Sequence, residues 1–309
     1  MSQPTFRLPD GQANWPWGRQ LNPHYPVVKA EERARAACDL MNLFFLFDEL
    51  SDVAGEGEVR EQANAILYAL QNPFRFDESD DSILGEAAHQ FARRAIKTLT
   101  PASFDTHVEA MIQQAKDRAC GYSNRQTVES YMSVGRGTIG AKPAFVFLEG
   151  DEDIPAWIIA HPFIEELETC IMDMLIMSNA SVSRIARSMQ DIYSYNVKQA
   201  RGDDGHNIVG VVMSEQTCDL HAAMAWVESQ YLDAVKRFLK TKEKLPCWGT
   251  DADPQVAAYI DGLANWARAG DQWCFETERY FGKRRLEIQN TRRVEMLPKV
   301  TDSPGVDHV

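Results

Sequence analysis

The sequence predicts an all-α protein. From Val28 onward, long segments repeat apolar residues at i, i+3, i+4 and i+7, and few segments alternate apolar with polar residues as a strand would. Helix-breaking residues separate these segments, for example Asn72-Pro73, Thr100-Pro101 and Leu245-Pro246. We find no internal repeat and no linker-like stretch, so a single domain spanning residues 1–309 is the simplest prediction.

The predicted elements follow one another between these breaks. Residues 1–27 are rich in Pro, Gly, Asn and Trp, which favours an extended N-terminal arm. Nine helices are predicted: 29–54, 57–72, 81–99, 102–119, 125–135, 163–200, 212–242, 253–269 and 272–280. Residues 298–309 include Pro304 and Gly305 and predict a frayed C-terminal tail.

Composition limits the kinds of partner. The net charge of −13 argues against nucleic acid or an anionic membrane surface, so an anionic ligand would need metal ions or a few placed Arg and Lys side chains. No apolar stretch approaches 18 residues, which predicts no membrane span. The six cysteines form no CxxC pair and are typical of reduced thiols in a cytoplasmic protein. Monomer and homodimer both stay open.

An aspartate-rich box, Asp48-Glu49-Leu50-Ser51-Asp52, ends an apolar helical run. Asp48 and Asp52 are four residues apart, so they share one helix face, whereas Glu49 is turned away by about 100°. Two carboxylates one turn apart suit Mg²⁺ and a bound diphosphate. Taken alone, a solvated acidic helix end explains the pattern equally well.

A second box begins at Asp191, reads Asp-Ile-Tyr-Ser-Tyr-Asn-Val-Lys-Gln, and is followed at residues 201–207 by Arg-Gly-Asp-Asp-Gly-His-Asn. This segment resembles the Asn-Asp-x-x-Ser-x-x-x-Glu metal box of fungal class I terpene synthases of the sesquiterpene type. In that family the Asn, Ser and Glu hold one Mg²⁺ against the substrate diphosphate. The resemblance implies that Ser194 is a metal ligand here.

Two further segments are similar to the same family, and the resemblance spans nearly the whole chain. Tyr131 to Gly140 resembles the segment at a broken helix where an Arg senses diphosphate, which implies that role for Arg136. Arg279 and Tyr280 match the C-terminal Arg-Tyr pair, which donates hydrogen bonds to the same diphosphate. The resemblance therefore implies that Arg136, Arg279 and Tyr280 assist catalysis.

The second box departs from the family pattern at two positions. Gln190 stands where the family has Asn, and Lys198 stands where it has Glu. An ammonium has no lone pair for Mg²⁺, so Lys198 either contacts the diphosphate as a cation or points to solvent. We expect impaired metal binding. The resemblance implies three Mg²⁺ ions, and the departure at Lys198 leaves three or fewer open.

An insertion offers another alignment of the same box. Met177-Ser178-Asn179 resembles the family's approach to its Asn-Asp pair, so Asn179 should directly precede Asp191, but residues 180–190 intervene. In an uninterrupted helix these eleven residues would move Asn179 about 16 Å from the site. A looped-out insert would restore Asn179 as a ligand, and Gln190 is the alternative.

The resemblance implies the class I terpenoid synthase fold, a helical bundle around a deep apolar pocket. It also implies Mg²⁺-dependent ionisation of an isoprenoid diphosphate, with farnesyl diphosphate as the expected substrate, followed by cyclisation or quenching. One or two of five aromatic residues should line the pocket: Phe44, Phe45, Phe47, Trp266 and Trp273. A non-catalytic homologue is the alternative, and a chain-elongating prenyltransferase ranks last because no second aspartate-rich box is found.

Overall fold

A computed structural model describes residues 4–18, 32–51, 54–75, 82–121, 127–148, 154–178, 195–196, 199–200, 207–278 and 280–299, without the side chains of 48, 49, 56 and 112–121. The elements in these ranges are β1 (Thr5–Arg7), α1 (Glu32–Ser51), α2 (Glu56–Gln71), α3 (Ile83–Thr98), α4 (Pro101–Gly121), α5 (Val128–Thr138), α6 (Ala141–Phe145), a 3₁₀ turn (Val146–Leu148), α7 (Ala156–Ile159), α8 (Pro162–Ser178), α9 (Ile208–Glu215), α10 (Leu220–Lys242), α11 (Ala252–Glu276), a 3₁₀ turn (Gly282–Arg284), α12 (Arg285–Thr291) and β2 (Arg293–Glu295). The all-α prediction is confirmed.

The prediction of one helix over residues 212–242 is wrong. α9 ends at Glu215, and Thr217 adopts a left-handed conformation with φ of 49° that no helix continues through. Asp219 then caps α10, because its carboxylate accepts a hydrogen bond from the Ala222 backbone N–H at 2.8 Å. The polar cap, rather than the apolar repeat, sets where the second helix begins.

The prediction of separate helices over 253–269 and 272–280 is also wrong. α11 continues through Gly270 to Glu276. A Cβ placed on Gly270 would lie 3.2 Å from Leu175 Cδ2, so the glycine allows α11 to approach α8 closely. Gly270 therefore stays helical because it packs closely against α8, although glycine often interrupts a helix.

α8 runs through the middle of the protein. Every residue from Cys170 to Ser178 is buried, which identifies a helix surrounded by others on all sides. Two helices, α10 and α11, make many of its contacts. The predicted helix 163–200 is observed as α8 up to Ser178, whereas residues 179–194 lie outside the described ranges.

Two buried apolar clusters form the core of the described residues. One cluster includes residues from the four helices α8, α9, α10 and α11, such as Ile171 and Phe238. The other includes residues from the four helices α1, α2, α3 and α4, such as Leu43 and Phe91. Trp266 of α11 packs against both clusters. An apolar cavity lined by Trp266 opens where these clusters meet.

The chain ends form a small antiparallel ribbon, which the helical prediction did not include. β1 pairs with β2 with Phe6 opposite Val294. Within the predicted N-terminal arm, Trp15 donates its indole N–H to the Ala264 carbonyl oxygen of α11 at 3.1 Å. Arg292 forms an ion pair with Asp10 at 3.0 Å, so both ends of the chain are attached to the same side of the bundle.

Candidate active site

The aspartate-rich box lies at the C-terminal end of α1. The backbone of Asp48 is helical, whereas its side chain and the whole of Asp52 lie outside the described residues. Ala37 and Met41 precede Asp48 by 11 and 7 residues, so each lies within about 20° of it around the helix. They lie about 16 Å and 10 Å further down the helix axis. The face of α1 that bears Asp48 is therefore apolar below the box.

An apolar cavity of about 590 Å³ opens against this face of α1. Its lining includes Ala37, Met41, Phe147, Leu148 and Trp266. Its volume is within the range of small-molecule sites. A ligand with a charged head at the box and a long hydrocarbon chain would match this division between carboxylates and apolar wall.

Two aromatic side chains, Phe147 and Trp266, line this cavity. The Trp266 ring meets that of Phe145 edge-on, with centroids 6.2 Å apart. Of the five aromatic residues predicted to contribute, Trp266 lines the cavity. Phe44 and Phe47 belong to the buried cluster of α1 to α4, and the Trp273 ring lies 6.1 Å from Tyr280.

Gly262 shapes the cavity from behind Leu148. A Cβ placed on Gly262 would lie 3.0 Å from Leu148 Cδ2, closer than side chains normally pack. The glycine thus leaves room for Leu148 to sit against α11 instead of extending into the cavity. Sequence reasoning missed this residue, because an isolated glycine within a helical pattern has no partner until the fold is known.

Arg136 is held by the central helix. Its Nε donates to Asp173 Oδ1 at 2.6 Å, and Arg237 Nη1 lies 3.3 Å from the other oxygen of the same carboxylate. Asp173 is buried, and the Arg136 side chain retains 39% exposure. The diphosphate-sensing role of Arg136 stays a prediction.

The glycine beside Arg136, Gly135, lets α5 pack closely against α8. A Cβ placed on Gly135 would lie 3.0 Å from Ile176 Cδ1. Thr138 ends the helix, and Gly140 follows with φ of 74°. The break in the helix predicted from the family resemblance therefore coincides with an observed turn between α5 and α6.

Tyr280 is half-buried beside the end of α11. Its ring contacts Trp273 and lies 6.2 Å from Phe281. Its predicted partner, Arg279, lies outside the described residues. The contacts place Tyr280 against α11, and hydrogen bonding to diphosphate stays a prediction for both residues.

Four predicted residues in and around the second box lie outside the residues that the structure describes: Asn179, Gln190, Ser194 and Lys198. Within the box, Tyr195 and Asn196 are helical and buried. Gln199 and Ala200 continue the same pattern just after it. The described part of this segment is thus a docked helix rather than an exposed loop.

A buried histidine supports the cavity wall without belonging to a metal site. His107 Nδ1 lies 2.9 Å from the Pro143 carbonyl oxygen, and its ring lies 5.8 Å from that of Phe147. Burial lowers the pKa of His107 to about 4, an effect that the bond to Pro143 partly opposes. The imidazole is therefore neutral near pH 7 and acts in packing.

The chemistry of the predicted ligands fits Mg²⁺. Asp48, Asp52, Asn179 and Ser194 would all offer oxygen, the donor that Mg²⁺ prefers, and Lys198 is the exception. Within the residues whose side chains are described, no group of three His, Cys, Asp or Glu could hold a metal ion.

Comparison with known proteins decides the family. Residues 39–237 match the family described as terpene synthase family 2, C-terminal metal binding. The chain belongs to this family. Delta(6)-protoilludene synthase of Armillaria gallica is 41% identical to this terpene synthase, over 97% of this chain and 96% of that protein. Sesquiterpene synthase 14 of Postia placenta is 36% identical, over 96% and 93%.

The Armillaria gallica relative contains residues that have no counterpart here. The alignment with it extends over 344 positions, whereas this terpene synthase has 309 residues. At least 35 positions, the difference between the two numbers, therefore face no residue of this chain. The two proteins therefore differ in the length of some segments as well as in individual residues.

Solved structures agree on the fold. A single-substitution variant of cucumene synthase superposes with a TM-score of 0.65 at 16% identity, covering 85% of this terpene synthase and all of that chain. Germacradien-4-ol synthase from Streptomyces citricolor superposes with a TM-score of 0.63 at 20% identity, covering 80% of each. The predicted class I terpenoid synthase fold is confirmed. Within the described residues, no helix is long and apolar enough to cross a membrane.

Proposed function

We propose that this terpene synthase ionises farnesyl diphosphate with the aid of Mg²⁺ and cyclises or quenches the resulting cation to a sesquiterpene. The observation that carries the proposal is the apolar cavity of about 590 Å³ on the same face of α1 as Asp48. Carboxylates at one end and hydrocarbon below match an isoprenoid diphosphate from head to tail. The relatives named as Delta(6)-protoilludene synthase support the same class of reaction.

Ionisation breaks the bond between C1 of the prenyl chain and the diphosphate oxygen. Both electrons leave with the diphosphate, and an allylic cation remains. Bound Mg²⁺ would supply positive charge that stabilises the departing diphosphate. Asp48, Asp52, Asn179 and Ser194 are the residues that would hold it, whereas Arg279 and Tyr280 would donate hydrogen bonds to the same group.

The cavity would then protect the cation. Trp266 presents an aromatic ring at its wall, and a ring face attracts a cation, whereas Leu148 and Met41 exclude water. Loss of a proton or capture of water would end the reaction. The contour of this wall would select among the folded forms of the prenyl chain.

Two readouts on the same sample test the proposal. Release of inorganic pyrophosphate from farnesyl diphosphate, with and without Mg²⁺, measures ionisation. Alkylation of Cys38, an exposed thiol at the cavity lining, measures whether a ligand fills the cavity. Cys247 is also exposed and lies outside the cavity lining, so it serves as the internal reference. We expect Mg²⁺-dependent pyrophosphate release together with protection of Cys38 and unchanged alkylation of Cys247.

A non-catalytic isoprenoid-binding homologue is the second candidate. The observation that favours it is Lys198, which has no lone pair for a metal ion at a position where the family has Glu. That protein would protect Cys38 from alkylation and release no pyrophosphate. If Cys38 is not protected and no pyrophosphate is released, both functions are rejected.

A further inference from the structure

The helix of the second metal box is fastened to the C-terminal strand. We use the name terminal ribbon for β1, β2 and the two residues after β2, Met296 and Leu297. Asn196 Nδ2 donates to the Glu295 carbonyl oxygen at 2.7 Å, and the Leu297 backbone N–H donates to Asn196 Oδ1 at 2.8 Å. One side chain thus binds both an acceptor and a donor of the same extended segment.

The neighbouring amide strengthens this attachment. Gln199 Nε2 donates to the Leu297 carbonyl oxygen at 2.9 Å and lies 3.1 Å from the Asn196 carbonyl oxygen. Both side chains are buried, Asn196 with 8% and Gln199 with 5% exposure. Buried amides are costly unless they are hydrogen-bonded, so these contacts select one position of the helix on the strand.

The terminal ribbon is itself anchored. The Met296 backbone N–H donates to the Pro4 carbonyl oxygen at 2.9 Å, and that of Leu8 donates to the Arg292 carbonyl oxygen at 2.7 Å. The Phe6 ring meets the Tyr195 ring edge-on at 6.0 Å. The segment with Asn196 therefore rests on a part of the protein that is tied to both chain ends.

Helical spacing gives this attachment a direction. Asn196 is two residues from Ser194 and two from Lys198, which corresponds to about 200° around a helix in either direction. The spacing therefore predicts that the two box positions face away from the terminal ribbon. An attachment at the back of a helix sets both its rotation and its axial position, the two quantities that place a ligand on its front.

We infer that Asn196 is a positioning residue, which together with the terminal ribbon holds the second metal box in register with the substrate diphosphate. The inference rests on the proposed function, since it concerns metal binding at that box. Partners that orient metal ligands from behind are typically worth about 10–100-fold in metal affinity or activity. A purely structural contact would change stability and leave the dependence on Mg²⁺ as it was.

Three variants separate these roles. Asn196→Leu removes both hydrogen bonds of the amide to the terminal ribbon. Leu297→Pro leaves the sequence of the box unchanged and removes the backbone N–H from which Asn196 accepts a hydrogen bond. This variant decides the question if Asn196→Leu does not fold. Gln12→Leu is the matched control, because it removes a buried amide of the N-terminal arm that donates instead to the Ala267 carbonyl oxygen at 3.2 Å.

Two readouts are needed. Hydrogen–deuterium exchange of the peptide covering residues 191–200 measures whether the helix is held. Thermal-shift titration with MgCl₂, at a fixed concentration of inorganic pyrophosphate, gives the half-saturating Mg²⁺ concentration without relying on turnover. We expect Asn196→Leu and Leu297→Pro to lose exchange protection and to raise this concentration by about 10–100-fold, while Gln12→Leu matches the wild type.

Several results would overturn the inference. Retained exchange protection in both variants would show that the contact does not hold the helix. Lost protection with an unchanged Mg²⁺ titration, or an equal change in Gln12→Leu, would show a structural role only. If the unsubstituted chain does not respond to Mg²⁺ and pyrophosphate, the proposed function itself is wrong. This failure is distinguishable from a failure of the inference about Asn196, because it is seen without any substitution.

Discussion

The two predicted metal boxes of this terpene synthase differ in what fixes their position in the fold. At the aspartate-rich box, helix α1 carries Asp48 on the same face as an apolar cavity, so local periodicity is sufficient to predict which face the box occupies. At the second box, the described residues are fixed by tertiary hydrogen bonds between Asn196 and two residues of the terminal ribbon, Glu295 and Leu297. The first box is thus placed by the geometry of one helix, whereas the described part of the second is placed by contacts with the terminal ribbon.

The largest expected effect tests the first box. Asp48→Asn keeps the size of the side chain and removes the charge that would hold Mg²⁺. We expect turnover of farnesyl diphosphate to fall by about 10²–10³-fold, by analogy with the loss of other charge-stabilising groups. The matched control is Glu49→Gln, on the adjacent face of the helix. An equal loss in both variants would mean that overall charge, not the face of α1, matters.

The next effect tests the second box. Lys198→Glu combined with deletion of residues 180–190 restores the family pattern, with Asn179 directly before Asp191. If a metal site is damaged in the natural chain, turnover should rise by about 10²-fold. Deletion alone and Lys198→Glu alone show which change matters. No gain in the combined variant would reject the proposed alignment of the insert.

A third effect concerns the stability of the cavity wall. Because the pKa of His107 is about 4 when folded and near 6.5 when unfolded, the unfolded chain binds a proton over this interval and the folded chain does not. Stability is therefore lost as pH falls, by about 2 kcal/mol between pH 7 and pH 5. Chemical denaturation of the wild type and of His107→Gln should show that the variant loses less. Equal losses would contradict the assignment.

The smallest effect concerns the cavity lining. Trp266→Leu removes the aromatic ring and keeps an apolar wall, so we expect turnover to fall by about 10-fold with a changed product mixture. Trp157→Leu, at a tryptophan with 63% exposure, is the control. An unchanged product mixture would place the reacting cation elsewhere. Gas chromatography with mass detection provides the measurement.

Much of the fold could be predicted from periodicity and from breakers. The predicted helix 29–54 corresponds to α1, Glu32–Ser51, and 81–99 corresponds to α3, Ile83–Thr98. The errors came from local backbone chemistry: Thr217 interrupts an apolar repeat, and Gly270 stays helical because Leu175 packs beside it. These outcomes depend on a cap and on a tertiary contact, which a period does not encode.

The site could be predicted only in part for a similar reason. Trp266 was predicted from its helical spacing and lines the cavity, whereas Asp48, on the face of α1 against which the cavity opens, stays a predicted ligand. Gly262 and Asn196 were missed as contributors, since their roles lie in contacts with Leu148 and with β2. Positioning residues of this kind become visible only when both partners are placed in space.

The most direct test of the account is incubation of the purified protein with farnesyl diphosphate, with and without Mg²⁺, followed by gas chromatography with mass detection. We expect a sesquiterpene that forms only when Mg²⁺ is present, and we expect Asp48→Asn to abolish its formation or reduce it strongly. Unchanged substrate under both conditions would contradict the proposed activity and favour a homologue that retains the fold without the chemistry.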